Sequence, residues 1–399
     1  MVFLVLIVPF GAVNGYLTVA LAYVLANRGM SVAHIGLLIA LFLMPQTWKF
    51  LWAPIVDTTL NRRQWYVIGA TLSAASVIAM AAYSEHPGDI VALSVFVFLA
   101  SVATTFLGMS VESLMAYLTL ESQKGRAGGW FQAGNLGGSG IGGGAALWLT
   151  QRLGMPWVTG AALGACFMLC CAALWGIGEP PIEQRARGIA HRLIGTVKDL
   201  WQVSRSRLGY LGLLVVFLPI GSGAASNLWS AVANDWHASA HTVALINGAM
   251  GGLISAAGCI VGGYLCDRFN RKLTYVTYGL IMAACALAMA LAAHTEMAYI
   301  GFTIAYSFVN GLCYAGFSAV TLEAIGLGAA ATKYNMFASL SNIPIAYLTA
   351  LEGWARTPWG PNGFLYVDAT LGVAGVIIFI SAVALSARAA LPVVAPEAL

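Results

Sequence analysis

Residues 34–57 read "HIGLLIALFLMPQTWKFLWAPIVD", an almost wholly apolar run that contains one lysine, Lys49. The run is long enough to cross a bilayer as a helix, which needs about 20 apolar residues. A lysine there either lies near a membrane surface or has a task inside the membrane. Composition favours a membrane setting, because the 399-residue chain is 60% hydrophobic and 9% charged, whereas soluble domains carry about 25% charged residues.

Twelve apolar stretches of similar length recur along the chain. They do not alternate apolar and polar residues over about 10 positions, as the strands of an outer-membrane barrel would. No small-residue cleavage site follows the first stretch, so it is not interpreted as a signal peptide. The sequence therefore predicts an all-α polytopic membrane protein whose transmembrane spans cover 3–25, 34–56, 65–84, 90–118, 128–150, 156–178, 209–234, 242–266, 274–293, 297–324, 333–354 and 364–387.

One long polar connection, residues 179–208, divides these spans six and six. We predict an N-terminal six-helix bundle over 1–178, a cytoplasmic linker over 179–208 and a C-terminal six-helix bundle over 209–399. The linker is interpreted either as a partly amphipathic helix on the anionic leaflet or as a solvated tether.

Lysine and arginine placement predicts the orientation. With both termini in the cytoplasm, 15 of these residues fall in cytoplasmic connections and the tail, against three in the outer connections. The positive-inside rule fixes this topology. Because the basic residues are spread along one membrane face, the net charge of +4 does not indicate nucleic-acid binding.

The two halves resemble each other in sequence. "VPFGAVNG" at 8–15 aligns with "LPIGSGAA" at 218–225, an offset of 210, and "RAGGWFQAGN" at 126–135 aligns with "KYNMFASLSN" at 333–342, an offset of 207. The similar offsets predict an internal repeat. Repeats in a polytopic membrane protein are typical of secondary transporters, whose halves move around a central site.

Motifs of enzyme chemistry are missing from the sequence. It has no HExxH, GxSxG or P-loop pattern, and its seven cysteines fall in or at the ends of spans without a CxxC. His237 and His241 form an HxxxH in an outer loop, which is interpreted as two exposed histidines rather than a metal site. We therefore predict no enzyme activity, cofactor or metal. A membrane channel or sensor remains as the alternative of another class.

The loop after the eighth span, "GGYLCDRFNRK" at 262–272, resembles the signature loop of the major facilitator superfamily, and "APIVDTTLNRR" at 53–63 is a looser copy. The resemblance implies the fold of that superfamily, in which two bundles give alternating access to one site. It also implies that span two borders span eleven and that span eight borders span five. Two cytoplasmic latches between acids and helix N-termini are then predicted, the alternative being that these charges only determine topology. The latches pair Asp57 with Lys333 and Asp267 with Arg126, and Arg268 and Arg271 complete the gating set.

Three stretches resemble the AmpG-type permeases of the peptide–acetyl-CoA transporter family: "WKFLWAPIVD" (48–57), "VESLMAYLTLESQKGRAGG" (111–129) and "AAATKYNMFASLSNIPIAYLTALEGW" (329–354). The resemblance implies a bacterial inner-membrane importer that uses the proton gradient to carry a muropeptide-like or other carboxylate-bearing solute. Compact relatives of the same superfamily include siderophore importers, which gives the alternative substrate. Its partners would be that solute, protons and membrane lipids, and the protein would be a monomer. In span four, those permeases usually have an aspartate where this chain has Glu112.

Lys49 and Glu112 lie at matching depths in spans two and four. Lys49 precedes Asp57 by eight residues and Glu112 precedes Glu121 by nine, which places both about 12–13 Å from the cytoplasmic helix ends. Intramembrane charges usually pair or line a polar cavity, so we predict a Lys49–Glu112 pair with Glu112 as the proton carrier. The alternative is that both side chains snorkel to the interface.

Polar residues in the middle of other spans are expected to line a cavity between the halves, or to form hydrogen bonds between helices. Asp368 is expected to be exposed to water, Glu323 to be interfacial, and the tryptophans at positions 130, 157, 236 and 359 to form an interfacial belt. The predicted cavity residues are Asn14, Tyr16, Gln46, Gln132, Asn135, Asn227, Asn310, Tyr314 and Asn342.

Overall fold

The computed structural model of the chain describes residues 2–85, 89–118, 124–178, 207–325, 336–337 and 339–388, with four single positions between 194 and 205. Every regular element in these ranges is a helix. Nine helices of the described part are long and apolar enough to cross a membrane. The prediction of an all-α polytopic membrane protein is thereby confirmed.

Six long helices follow one another in the described residues of the first half. The first includes one π-helical stretch, Tyr16–Leu21, and the sixth ends in a 3-10 turn, Cys171–Gly176. Their bounds are α1 Val2–Asn27, α2 Val32–Thr58, α3 Arg62–Tyr83, α4 Ile90–Leu118, α5 Lys124–Leu153 and α6 Pro156–Cys170.

The second half also follows the predicted order of spans. Its eighth span runs through Ala240–Val243, a π-helical stretch Ala244–Met250 and Gly251–Arg268, which together form α8. The other helices are α7 Arg207–Phe217, α9 Arg271–Leu291, α10 Glu296–Ile325, α11 Asn342–Trp359 and α12 Gly363–Arg388.

The seventh span is not one continuous helix, which corrects the prediction of an unbroken span over 209–234. Helix α7 ends at Phe217, and short helical turns resume only over 224–236. Pro219 cannot donate a helical hydrogen bond and restricts the residue before it. Gly221 and Gly223 take positive φ angles of 57° and 70°, a conformation that only glycine adopts without strain. We call residues 218–223 the break.

Side chains from neighbouring helices satisfy backbone carbonyls freed by the break. Tyr275 Oη donates to the carbonyl of Ile220 at 2.9 Å, and Tyr347 Oη donates to the carbonyl of Phe217 at 3.3 Å. Irregular backbone at membrane depth requires such internal partners, since lipid offers none.

Equivalent contacts recur in the two halves. Asn61 caps α3 and Asn270 caps α9, each accepting a backbone N–H three residues later. Tyr66 Oη of α3 donates to the carbonyl of Leu6 at 2.9 Å, as Tyr275 of α9 does to Ile220. Both pairs differ by 209 in residue number, close to the offsets of the sequence repeat.

Glycines bring α5 close to helices of both halves. A Cβ added at Gly138 would lie 2.7 Å from the Val8 carbonyl oxygen of α1, whereas one added at Gly140 would lie 2.6 Å from the Gly248 carbonyl oxygen of α8. Small residues of this kind allow transmembrane helices to approach backbone to backbone. One face of α5 therefore packs on α1 of the same half, and another face forms a contact between the halves.

A second contact between the halves joins α2 to α11. A Cβ added at Gly36 would lie 3.3 Å from Gly353 Cα. Both residues lie near the helix ends that the predicted topology places outside, which we call the outer end. There Asn234 Nδ2 of the second half also donates to Asn27 Oδ1 of the first at 2.9 Å. These contacts close the outer end in this structure.

The predicted tryptophan belt is wrong at one position. Trp130, Trp157 and Trp359 are exposed, but Trp236 is buried and stacks on His294, with ring centroids 4.3 Å apart. His294 in turn bonds Asn362 Oδ1. Trp236 therefore holds the short turns that follow the break against loops at the outer end.

The linker prediction falls almost wholly outside the described residues.

Candidate functional site

An intramembrane ion pair joins α2 to α4. Lys49 Nζ lies 3.0 Å from Glu112 Oε1, and the two side chains are 15% and 25% exposed. The structure thus brings together the two residues that the sequence predicted to pair. A half-buried pair of this kind gains more from its Coulomb attraction than a surface pair does, and losing one partner leaves the other charge poorly solvated.

Polar contacts along α2 and α4 fix the register that places the pair. Gln46 Nε2 donates to Thr104 Oγ1 at 3.2 Å, and Trp52 Nε1 donates to Thr105 Oγ1 at 3.2 Å. Both contacts cross between the two helices, one turn before and one turn after Lys49. They hold the helix faces so that the lysine and glutamate meet.

The ion pair lies beside a contact between the halves. Phe50, the residue after Lys49, packs against an apolar cluster of the second half that includes Val216, Met336 and Phe337. A rearrangement of the two halves would change the packing of Phe50. The lysine is therefore placed where it could respond to such a rearrangement.

A small cavity of about 40 Å³ lies beside the break. Val216, which belongs to the cluster under Phe50, is one of its lining residues. Tyr314 of α10 and Ser341 supply polar groups to a wall that is otherwise mostly apolar. The ion pair and the cavity thus border the same contact between the halves.

The predicted cavity residues have several different environments. Tyr314 lines the cavity, and Asn310 lies against the break, where its Oδ1 would be 2.2 Å from a Cβ added at Gly223. Tyr16 is buried in the apolar core, which favours packing over a cavity role. Gln132 lies outside the described side chains. The others contact neighbours: Asn14 bonds to Ser139, Gln46 to Thr104, Asn227 to Thr349 and Asn342 to the Ser339 carbonyl, and Asn135 is also engaged by its surroundings.

The predicted latches fall outside the described residues, which include neither Lys333 nor the side chains of Asp57, Arg126 and Asp267. The side chain of Glu323, expected to be interfacial, also lies outside them. Arg268 is exposed and lies 3.4 Å from Tyr264 Oη, and Arg271 is exposed. The exposed His237 and His241 lie in or beside the loop before α8.

One acidic group was missed by the sequence reasoning and another was placed wrongly. Glu352 of α11 is fully buried, although nothing in the sequence analysis singled it out. Asp368 of α12 was expected in water but is only 5% exposed, because α10 and α11 cover it and Tyr306 Oη donates to its Oδ2 at 2.9 Å. The run "ALEGWAR" (350–356) held a signal, since it places an acid inside an apolar helix.

Comparisons with known proteins agree with this arrangement of helices. The family model of the Major Facilitator Superfamily matches residues 2–349. The anhydromuropeptide permease of Escherichia coli (strain K12) is 22% identical over 350 residues, which cover 83% of this chain and 69% of that permease.

Solved structures of transporters share the fold. The D-xylose-proton symporter superposes with a TM-score of 0.73 at 14% identity, covering 95% of this chain and 96% of that one. The nucleoside transporter NupG gives a TM-score of 0.72 at 14% identity, covering 96% of this chain and 98% of that one.

Proposed function

Because the chain belongs to the Major Facilitator Superfamily, we propose that it is a proton-coupled importer of a muropeptide-like or other carboxylate-bearing solute. Proteins of this family are membrane transporters and not enzymes, and this chain is a multi-pass membrane protein. Its proposed location is the bacterial inner membrane, with both termini in the cytoplasm. The observation that carries the proposal is the half-buried Lys49–Glu112 ion pair.

Proton coupling would act through the charge of Glu112. When Glu112 is ionised, Lys49 is neutralised by its partner at 3.0 Å. When Glu112 takes up a proton, Lys49 is left as a poorly solvated cation, which costs about 3–5 kcal/mol unless another anion replaces the lost partner. A carboxylate on the substrate is such an anion. Proton and substrate would therefore bind together, each strengthening the other by the same factor.

The substrate class rests on two supports. The similar protein of Escherichia coli is named an anhydromuropeptide permease, and an intramembrane lysine that loses its partner when Glu112 is protonated can bind a carboxylate. The cavity beside the break, with Tyr314 in its wall, is too small for a whole solute in this outer-closed structure, so the proposal requires the halves to separate before the solute enters.

A binding screen followed by transport assays tests the proposal. The purified chain is exposed to anhydromuropeptides, siderophores, acetyl-CoA and simple sugars in a thermal-shift assay, and the best stabiliser is then tested in proteoliposomes. Uptake driven by an inward proton gradient, together with accelerated counterflow, is expected for the muropeptide, since a channel or sensor shows neither.

Substitution of the lysine makes the test specific. Lys49→Ala should weaken substrate binding by about 10–150-fold, because a charge-assisted hydrogen bond of about 1.5–3 kcal/mol is lost. Arg152→Ala is the matched control, since Arg152 is an exposed cation at the outer end of α5 over the Trp148 ring. Wild-type uptake by a folded Lys49→Ala protein would contradict the proposal, as would equal losses in the two variants.

A further inference from the structure

Two carboxyl groups meet in the second half of the protein, away from the Lys49–Glu112 pair. Glu352 of α11 is 0% exposed and Asp368 of α12 is 5% exposed. Their carboxyl groups interact with each other. Glu352 lies seven residues before the outer end of α11 and Asp368 five residues after the start of α12, so both lie about 8–10 Å from the outer helix ends.

Asp368 has a hydrogen-bond donor and Glu352 has none. Tyr306 Oη of α10 donates to Asp368 Oδ2 at 2.9 Å. Neither carboxyl oxygen of Glu352 has a hydrogen-bond partner among the described residues. A hydrogen bond between the two acids therefore requires a proton on one of them.

Among the residues that the structure describes, no cation offsets two negative charges at this site. An apolar cluster that includes Leu348 and Ala355 lines the same face of α11 as Glu352. The titratable groups that face the pair from other helices are Cys285 of α9 and Tyr306 and Cys313 of α10, all neutral when protonated. Arg356, one turn nearer the outer end of α11, is engaged by Asp235 Oδ2 at 2.5 Å.

Two ionised carboxylates cannot share this site. Burying even one unpaired charge is strongly unfavourable, and neighbouring like charges add to that cost. A single proton resolves both problems, as in other buried carboxyl pairs. Since Tyr306 already stabilises Asp368 as an acceptor, Glu352 is the acid that carries the proton and donates it to Asp368. This assignment gives Glu352 the partner that it otherwise lacks.

We propose that Glu352 and Asp368 share one proton and form a second proton-binding site of the transporter. The proton is taken from water and returned to water, so only an O–H bond forms and breaks. Gly353, the next residue after Glu352, packs against Val32 and Gly36 of α2. The site lies directly behind a contact that closes the outer end, and separation of α2 from α11 opens a route for water to it.

That the two acids share a proton does not depend on the proposed function, whereas the use of that proton in transport rests on it. Infrared spectroscopy of the full chain in liposomes tests the first part. The wild type at neutral pH should show the carbonyl stretch of a protonated carboxylic acid. Glu352→Gln should lose this band, and Asp368→Asn or Tyr306→Phe should shift it, because each changes the hydrogen bond that the acid makes or its acceptor. An unchanged band in Glu352→Gln overturns the sharing of a proton.

Transport assays test the second part on the same variants. Glu352→Gln copies the shape and charge of the protonated acid, so it should fold and keep counterflow while uptake driven by a proton gradient falls about tenfold or more. Glu352→Asp should restore part of that uptake. If the band is lost while the pH profile of uptake stays that of the wild type, the site is structural and the transport role is overturned. If Glu352→Gln does not fold, Asp368→Asn replaces it in the infrared and the transport measurements. Asp368→Asn should lose uptake driven by a proton gradient, and a wild-type pH profile of uptake would contradict the transport role.

Discussion

Adding a methyl group at Gly140 should shift the protein away from the conformation seen here. A Cβ at this position would lie 2.6 Å from the Gly248 carbonyl oxygen, which is 0.8 Å closer than the 3.4 Å at which ordinary contact begins. The clash joins α5 to α8 across the two halves, so it exists only while these helices touch. Crowding of this kind costs about 1–3 kcal/mol, which corresponds to about 5–150-fold in the ratio of outer-open to outer-closed protein.

Two further glycines of α5 provide matched controls. A Cβ at Gly137 would meet nothing within 4 Å, and one at Gly138 would meet Val8 of the same half. All three Gly→Ala changes gain the same helix propensity of about 1 kcal/mol, so that term cancels. Gly137→Ala should behave as the wild type. Gly138→Ala should lower the melting temperature without favouring the outer-open conformation.

Thiol labelling from outside measures the shift. Thr349 is buried beside Gly36 at the contact of α2 with α11, so Thr349→Cys should be protected from a membrane-impermeant maleimide while the outer end is closed. The labelling rate is taken relative to the same protein without that cysteine, because native cysteines are present. Gly140→Ala should raise this rate and Gly137→Ala should not. Equal rates in these two folded variants would refute the view that the α5–α8 contact belongs to the outer-closed conformation.

Two other predictions concern stability in detergent. Gly223→Ala at the break should lower the melting temperature markedly, because a φ of 70° is strained for alanine and the added Cβ would lie 2.2 Å from Asn310 Oδ1. Gly301→Ala is the control and should melt as the wild type does, since its Cβ would meet nothing within 4 Å. Similar melting temperatures of the two variants would count against the break. Tyr66→Phe and Tyr275→Phe should each destabilise by about 1–3 kcal/mol, since each leaves a buried carbonyl unpaired, and a large difference between their unfolding free energies would argue against equivalent roles in the two halves.

Hydropathy was sufficient to predict the all-α membrane fold and the order of the helices that the structure describes, since a helix that crosses lipid must be long and apolar whatever it packs against. It was insufficient for the seventh span. The predicted span over 209–234 is apolar on average, so the average conceals Pro219 and two glycines within it. The break depends on Tyr275 and Tyr347, which lie in other helices and donate hydrogen bonds to the freed carbonyls.

The distance of a residue from its helix end correctly predicted one intramembrane contact, but it led to a wrong prediction for another acid. Lys49 and Glu112 lie at matching depths on parallel helices, so equal distances from the helix ends were informative. Asp368 lies one turn into α12, a depth that suggested water. Its burial is determined by α10 and α11, and only a structure shows which neighbours cover a given face. Glu352 is different, because its position inside an apolar run was a signal that the sequence held; only its pairing with Asp368 required the structure.

The most direct test of the account is to neutralise Glu112 and to measure accumulation and exchange in the same proteoliposomes. Glu112→Gln should still exchange substrate in counterflow, because the amide resembles the protonated acid, but should no longer accumulate it on an inward proton gradient. Glu85→Gln is the matched control, since Glu85 forms a more exposed ion pair with Arg28 at 3.8 Å, and it should accumulate substrate as the wild type does. Accumulation by Glu112→Gln at the wild-type level would contradict the account, because the proton would then be carried elsewhere.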